Sequence, residues 1–327
     1  MDAVTGPVAF RPGPQHLALV GSTASGKSSL AMALAQRRPD IEIVSIDSMQ
    51  VYRGMDIGTA KPSLAEQAEV PHHLIDLVDP DEDFSVSRFV EAADAVLADL
   101  ERRGRRGLLV GGTGLYLQAV VDDFEIPGRY PEVRAELDDE PDTGALYARL
   151  TALDPVAAAR MEPTNRRRVV RALEVTLGAG RPFSSFGPGL DAYPPLPFPV
   201  VGLRLPRTVL DTRIAQRYAD QLADGFVGEV ERLVARPAGL SRTARQALGY
   251  TEILDHLENG SPLDEVMARA VTRTRRFARR QQRWFGRDPR IAWVDLGADA
   301  ADTAGTGALG ADAAAIALVA LDEMLGD

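Results

Sequence analysis

The chain has 327 residues, 37 basic and 47 acidic, giving a net charge of −10, and it contains no cysteine. Its length predicts two domains or one domain with an insertion, and 45% hydrophobic with 26% charged residues excludes a disordered or fibrous chain. Disulfides, thiolate nucleophiles and cysteine-based metal sites are excluded, no apolar run reaches the ~20 residues that span a bilayer, and the acidic sum by itself argues against a nucleic-acid partner.

Residues 1–15 are rich in Pro and Gly and lack the basic-then-apolar pattern of a signal peptide, so they read as a flexible tail. Residues 16–20 form a short apolar run, followed by Gly21-Ser22-Thr23-Ala24-Ser25-Gly26-Lys27-Ser28 and then by strong helix formers. That succession is strand, loop, helix. A second β-branched run, residues 41–46, ends at Asp47, and a third, 107–110, ends at Gly111-Gly112-Thr113-Gly114. Residues 84–100 between them carry apolar positions at helical spacing. Strands alternating with helices predict an α/β fold built on a parallel sheet flanked by helices. Residues 122–198 change to helices separated by Pro and Gly, the pattern of an inserted helical domain, and residues 200–205 read as a strand returning to the sheet. The core is therefore expected at 16–121 and 199–300. Residues 301–327 hold five acids and no base and read as an acidic, Ala-rich tail, with a short helix at 316–325 and no functional role.

Of the 37 basic residues only Lys27 and Lys61 are lysine. Arginine is a planar fork and lysine a compact charge on a thin stem, so a surviving lysine marks a place where only the second shape fits. Lys27 stands in residues 21–28, which match G-x-x-x-x-G-K-[ST] in the strand-to-helix context the pattern requires. Glycines let backbone N–H groups converge on an anion, and the helix aims its positive end at the same point. Lys27 would reach the outer phosphates, and the Ser28 hydroxyl would ligate Mg²⁺. The motif specifies a polyphosphate, not a reaction. No apolar strand ends in adjacent acids as in an ATPase, and no Asn-Lys-x-Asp is present to read guanine. A P-loop nucleotide or metabolite kinase is the competing enzyme class. Asp47, at a strand end beside this loop, is placed to bind Mg²⁺ through water or to act as a general base; a capping aspartate is the structural alternative.

Residues 269–290 carry nine arginines and one acid, and Arg269, Arg273, Arg276, Arg280, Arg283 and Arg287 fall on one helical stripe. Surface helices ordinarily interleave acids, so a single-sign stripe predicts contact with a phosphate backbone. A non-catalytic RNA-binding module would explain this stripe but neither the cradle nor Asp47. Arg166, Arg167, Arg168 and Arg171 form a second cluster within the insertion. His72 and His73 lack metal-ligand spacing and a third partner, which predicts a structural role. For Lys61, an ion pair and a substrate contact are equally compatible with the sequence.

These segments together resemble the tRNA dimethylallyltransferase family. The resemblance is carried by Thr23-Ala24-Ser25-Gly26-Lys27-Ser28, by Asp47-Ser48-Met49-Gln50-Val51-Tyr52 running on to Asp56-Ile57-Gly58-Thr59-Ala60-Lys61-Pro62, and by Pro71-His72-His73-Leu74-Ile75-Asp76. Further blocks are Gly111-Gly112-Thr113-Gly114-Leu115-Tyr116, Asn165-Arg166-Arg167-Arg168 through Glu174, Gly249-Tyr250-Thr251-Glu252, and Thr272-Arg273 through Trp284-Phe285. Ser22 stands where many members have Pro and Ser28 where most have Thr. The resemblance implies transfer of a dimethylallyl group from dimethylallyl diphosphate, with Mg²⁺, to N6 of the adenine 3′ of the anticodon; a cytoplasmic location and a monomer with no obligate protein partner are expected, the sequence itself leaving the oligomeric state open. It implies a catalytic set of Asp47 as base, Lys27 and Thr113. Residues Gly21, Ser22, Thr23, Ala24, Ser25, Gly26, Lys27 and Ser28, with Arg217, would hold the prenyl diphosphate. Asp47, Ser48, Met49, Gln50, Thr113, Arg134, Arg166, Arg167 and Arg168, joined by Arg273, Arg276 and Arg280 of the stripe, would meet the tRNA, whose anticodon stem-loop the insertion would grip.

Overall fold

The computed structural model describes residues 16–122, 124–187, 189–297 and 309–325; the expected N-terminal tail lies outside them. β1 (Leu17–Gly21) leads into α1 (Lys27–Arg37), β2 (Ile41–Ile46), α2 (Leu64–Glu69), β3 (His72–His73), α3 (Val86–Arg102), β4 (Arg106–Gly111) and α4 (Gly114–Val121). Four helices follow: α5 (Pro131–Asp138), α6 (Thr143–Leu153), α7 (Pro155–Ala159) and α8 (Arg166–Ala179). The chain returns through β5 (Val200–Arg204) to α9 (Arg207–Ala223), α10 (Phe226–Val234), α11 (Arg242–Arg245), α12 (Tyr250–Asn259) and α13 (Leu263–Phe285). It ends with β6 (Ala292–Asp295) and α14 (Ala311–Leu325). No helix among the described residues is long and apolar enough to cross a membrane.

The chain divides into two compact units, Met1–Leu117 with Pro195–Asp327, and Gln118–Pro194. In the first, six parallel strands are ordered β3-β2-β4-β1-β5-β6. Every residue of β1 and β2 is buried, as expected of parallel strands covered on both faces, which read as continuous apolar runs. Parallel pairing puts the carboxyl ends of β1, β2 and β4 on one rim, so the loops after Gly21, Ile46 and Gly111 share an edge. The second unit has its own core, in which Leu137, Leu146, Leu150, Val169, Val170 and Leu173 interlock.

One expectation fails at the C-terminus. Residues 301–308 lie outside the described set, but 309–325 are part of the core and not a tail: Leu309, Ala317, Leu318, Leu321 and Leu325 pack in one cluster with Leu30 and Leu34 of α1. Arg106 also donates to the Leu325 carbonyl at 3.0 Å, which ties the end of α14 to β4.

Polar groups on the sheet are paired. His73 Nε2 lies 2.7 Å from Glu42 Oε2, and both oxygens of Glu42 accept from Arg103, at 2.6 and 2.9 Å. The His72 ring is held by the Val70 carbonyl at 2.8 Å. Both histidines thus have structural partners. The Arg103 guanidinium pulls the Glu42 carboxyl down from 4.5 to about 2. A carboxylate whose folded pKa is depressed stabilises the fold above its unfolded value and loses that contribution as the pH falls through the folded one. Glu42→Gln is therefore expected to cost on the order of 1–3 kcal/mol at neutral pH and to flatten acid unfolding between about pH 4.5 and 2. Denaturant melts at pH 7 and pH 3 check this; equal losses at the two pH values would contradict it.

Candidate active site

The loop after β1 takes its shape from two residues with positive φ, Ala24 at 62° and Gly26 at 87°. Gly26 caps α1 by its backbone alone, which leaves the first turn's N–H groups directed at the loop's interior. Lys27 is buried, with its ammonium 2.7 Å from the Ser22 carbonyl and 3.3 Å from Ser25 Oγ. Burial lowers its pKa from 10.5 to about 8, against the attraction of Asp47 and with help from Arg217. An anion in the loop would reverse that balance.

Helix α9 supplies two more cations to the same loop. Arg213 donates to the Ala24 carbonyl at 3.2 Å and Arg217 to Thr23 Oγ1 at 3.1 Å. The structure therefore sets Arg217 against the loop at Thr23 and adds Arg213, which the sequence did not single out. Residues 21–28 with Arg217 thus form one cradle. Ser28, at the start of α1, is exposed.

Asp47 follows β2. Its Oδ1 accepts the Met49 N–H at 2.8 Å, a local turn that fixes the carboxylate, and the Ser48 N–H donates to Thr113 Oγ1 at 3.3 Å. Asp47 and Thr113 are thereby brought together. The turn carrying Thr113 needs glycine for close approach: a Cβ at Gly111 would lie 2.1 Å from the Ile46 carbonyl oxygen, and one at Gly114 would lie 2.2 Å from Trp284. Tyr116 stacks on Phe89 with ring centroids 4.2 Å apart. Burial, reinforced by Tyr52 and Asp47, keeps its phenol neutral.

The loop from Asp47 to Pro62 is pinned at several points. Gln50 accepts from Ser45 Oγ at 2.8 Å and donates to the Thr59 and Ala60 carbonyls at 3.3 and 3.1 Å, so its amide serves the loop itself. Lys61 resolves as a structural clamp: its ammonium sits 2.7 Å from Asp56 Oδ1, 2.6 Å from Asp76 Oδ1 and 2.7 Å from the Tyr52 carbonyl. The carboxylate of Glu229 accepts three successive N–H groups, of Asp56, Ile57 and Gly58, at 3.0, 2.7 and 3.2 Å, and the Tyr250 hydroxyl at 2.5 Å. The sequence reading missed Glu229. The available signal was an acid on the buried stripe of α10, with Phe226, Val230 and Leu233.

Helix α13 ends at Phe285, short of the expected 290, and its arginines divide into two groups. Arg269 pairs with Asp255 and Arg273 with Glu252, both acids of the neighbouring α12. The stripe is therefore not of a single sign at its N-terminal half, and Arg273 is already occupied. Arg276, Arg280 and Arg283 are exposed, with no carboxylate partner among the described residues; the Arg280 guanidinium lies 5.5 Å from the Phe277 ring.

In the second unit the expected basic cluster also divides. Arg134 pairs with Asp138 at 2.8 Å, Arg171 with Glu174 at 2.8 Å, and Arg166 donates to the Leu137 and Asp138 carbonyls. Arg167 and Arg168 remain exposed in the first turn of α8, with no carboxylate partner among the described residues.

For Mg²⁺, the available donors are the Ser28 hydroxyl and the Asp47 carboxylate, whose Oδ2 accepts no hydrogen bond among the described residues. No cluster of three or more His, Cys, Asp or Glu able to hold a metal exists among those residues. Few hard oxygen ligands beside an anion cradle suit an ion that arrives with a polyphosphate and keeps much of its water.

Known proteins resemble this chain in both sequence and fold. Residues 50–288 match the family model for IPP transferase, and residues 14–76 that for isopentenyl transferase. The tRNA dimethylallyltransferase of Bifidobacterium longum (strain NCC 2705) is 48% identical over 285 residues, 85% of either chain. That of Kineococcus radiotolerans is 46% identical over 305 residues, covering 90% of this chain and 95% of the other. Among solved structures, the full-length tRNA isopentenylpyrophosphate transferase from Bacillus halodurans is 35% identical and superposes with a TM-score of 0.66, covering 95% of this chain and 97% of that one. A eukaryotic dimethylallyltransferase acting on tRNA is 28% identical, with a TM-score of 0.72 over 86% of this chain and 73% of its own. Matched in sequence over most of its length and in the fold that carries the cradle, the chain belongs to the tRNA dimethylallyltransferase family.

Proposed function

We propose that the protein, a cytoplasmic monomer, transfers a dimethylallyl group from dimethylallyl diphosphate to N6 of the adenine 3′ of the anticodon in tRNA. The observation that carries this reading is one rim holding a buried, positively charged anion cradle beside a fixed carboxylate. In the reaction the C1–O bond of the prenyl diphosphate breaks and its electron pair stays on the departing diphosphate. Lys27, Arg217 and the first-turn N–H groups of α1 are oriented in advance to receive that charge. The adenine N6 forms the new C–N bond, and the proton it sheds goes to Asp47, with Thr113 beside it to hold the acceptor. Mg²⁺, when bound, would supply further charge neutralisation on the diphosphate oxygens.

Two exposed cationic groups support the tRNA side of the proposal. Arg276, Arg280 and Arg283 form a short exposed patch with no carboxylate partner among the described residues. On α8, cations in a first turn run against the helix dipole at a cost of about 0.3–1 kcal/mol each, and a bound phosphate offsets that cost. An anticodon loop suits such surfaces because its unpaired bases can be splayed out and read.

Labelled dimethylallyl diphosphate, Mg²⁺ and unmodified tRNA should yield labelled RNA and free diphosphate. Label left off the RNA, with the γ-phosphate of ATP moved to an acceptor, would assign the cradle to a kinase instead. Exchanging Arg276 and Arg280 for glutamine should reduce the slope of tRNA affinity against salt by roughly 1.5; an unchanged slope would place the phosphates elsewhere.

A further inference from the structure

Gln281 is 7% exposed, on the packed face of α13 with Thr274, Ala278 and Phe285. Its carboxamide is spent on two backbone groups far apart in sequence. Its Oε1 accepts the Thr23 N–H of the phosphate loop at 2.9 Å, and its Nε2 donates to the Gly112 carbonyl at 2.8 Å. Thr23 lies on the loop that would hold the diphosphate, and Gly112 directly precedes Thr113. The arrangement is tightly built. A Cβ at Gly112 would lie 2.3 Å from Gln281 Nε2, so that glycine leaves room for this amide.

We infer that Gln281 is a positioning residue that fixes the distance between the prenyl diphosphate cradle and the turn presenting the acceptor, an inference resting on the proposed transfer reaction. A group transfer between two separately bound substrates depends on that gap, and misplacement by about 1 Å costs on the order of a hundredfold in rate. A single amide with one acceptor and one donor sets the gap at both ends. Buried hydrogen-bonding groups left without a partner are costly, so each end resists slipping. Because α13 also carries Arg276, Arg280 and Arg283, the element that would meet tRNA phosphates is the one that spaces the two substrate loops.

The test uses the full chain with Gln281→Met, which keeps length and removes both bonds, and Gly112→Ala, which displaces the amide from the other side. Each should lower kcat about 10–100-fold with the tRNA dissociation constant within about twofold. The double variant should be no worse than the worse single, since both break the same link. Backbone amide exchange in the segment 21–30 should speed up in Gln281→Met. Additive losses, an unchanged kcat, or unaltered exchange at 21–30 would overturn the inference. If the wild-type protein labels no tRNA, the functional reading fails, and the exchange comparison still decides whether Gln281 pins the loop.

Discussion

Asp47→Asn is expected to lower the rate of prenyl transfer by about 10²–10⁴-fold while leaving tRNA affinity within about twofold. Asparagine keeps an oxygen for the Met49 N–H, so the turn that orients position 47 survives. What it removes is the capacity to accept a proton. The adenine amino group shares its lone pair with the ring and must lose a proton as it attacks, so a neutral amide beside it leaves that proton without a destination. Asp47→Ala removes the turn contact as well and should be at least as slow. Single-turnover rates and equilibrium tRNA binding separate the two effects. A large loss of affinity with an intact chemical step would make Asp47 a binding residue.

Lys27→Met is expected to reduce kcat/KM for the prenyl diphosphate by about 10²–10³-fold, the range seen when one charge-stabilising donor is removed. It should also make the ligand-free protein more stable near neutral pH. The reason is linkage: with a pKa lowered from 10.5 to about 8, folded Lys27 binds its proton less tightly than the unfolded chain does. It therefore costs stability below about pH 8, and the cost fades as the pH rises toward 10.5. Removing it returns on the order of 3 kcal/mol at most. Because diphosphate needs the protonated lysine, wild-type affinity should weaken above about pH 8. Calorimetry at pH 8 in buffers of different ionisation enthalpy should show proton uptake on diphosphate binding that the variant lacks. Equal uptake in both proteins would remove Lys27 from the cradle.

The strands and the cradle were legible because their signals are local. Continuous apolar runs mark parallel strands covered on both faces, and the glycine loop states its own geometry within eight residues. Less legible were contacts between distant positions. Glu229 and Gln281 each serve backbone groups more than 150 residues away, and a backbone N–H has no sequence identity to match. Lys61 stood out by its rarity, yet only the fold shows Asp56 and Asp76 on either side of it. The arginine stripe was overread because the acids that occupy its first half sit on another helix. Net charge misled in the opposite direction, since a sum of −10 says nothing of where exposed arginines gather. α14 was mistaken for a tail because alanine on every side lowers the contrast between its buried and exposed faces.

The strand order also constrains how the protein can be made. β1 is flanked by β4 and β5, so as the chain leaves the ribosome its second edge waits open while translation runs from Gly111 to Arg204, roughly 5–20 s at about 5–20 residues per second. An apolar strand with a free edge is an aggregation hazard. The helices between β4 and β5 can gather round a core of their own during that interval, keeping the nascent segment compact until β5 arrives to close the sheet. α1 waits longer still, for α14, which packs against it, is synthesised after all six strands. A ribosome stalled or a message truncated before Leu309 would release a chain carrying the cradle but with the apolar back of α1 uncovered, a species that quality-control chaperones and proteases are suited to detect.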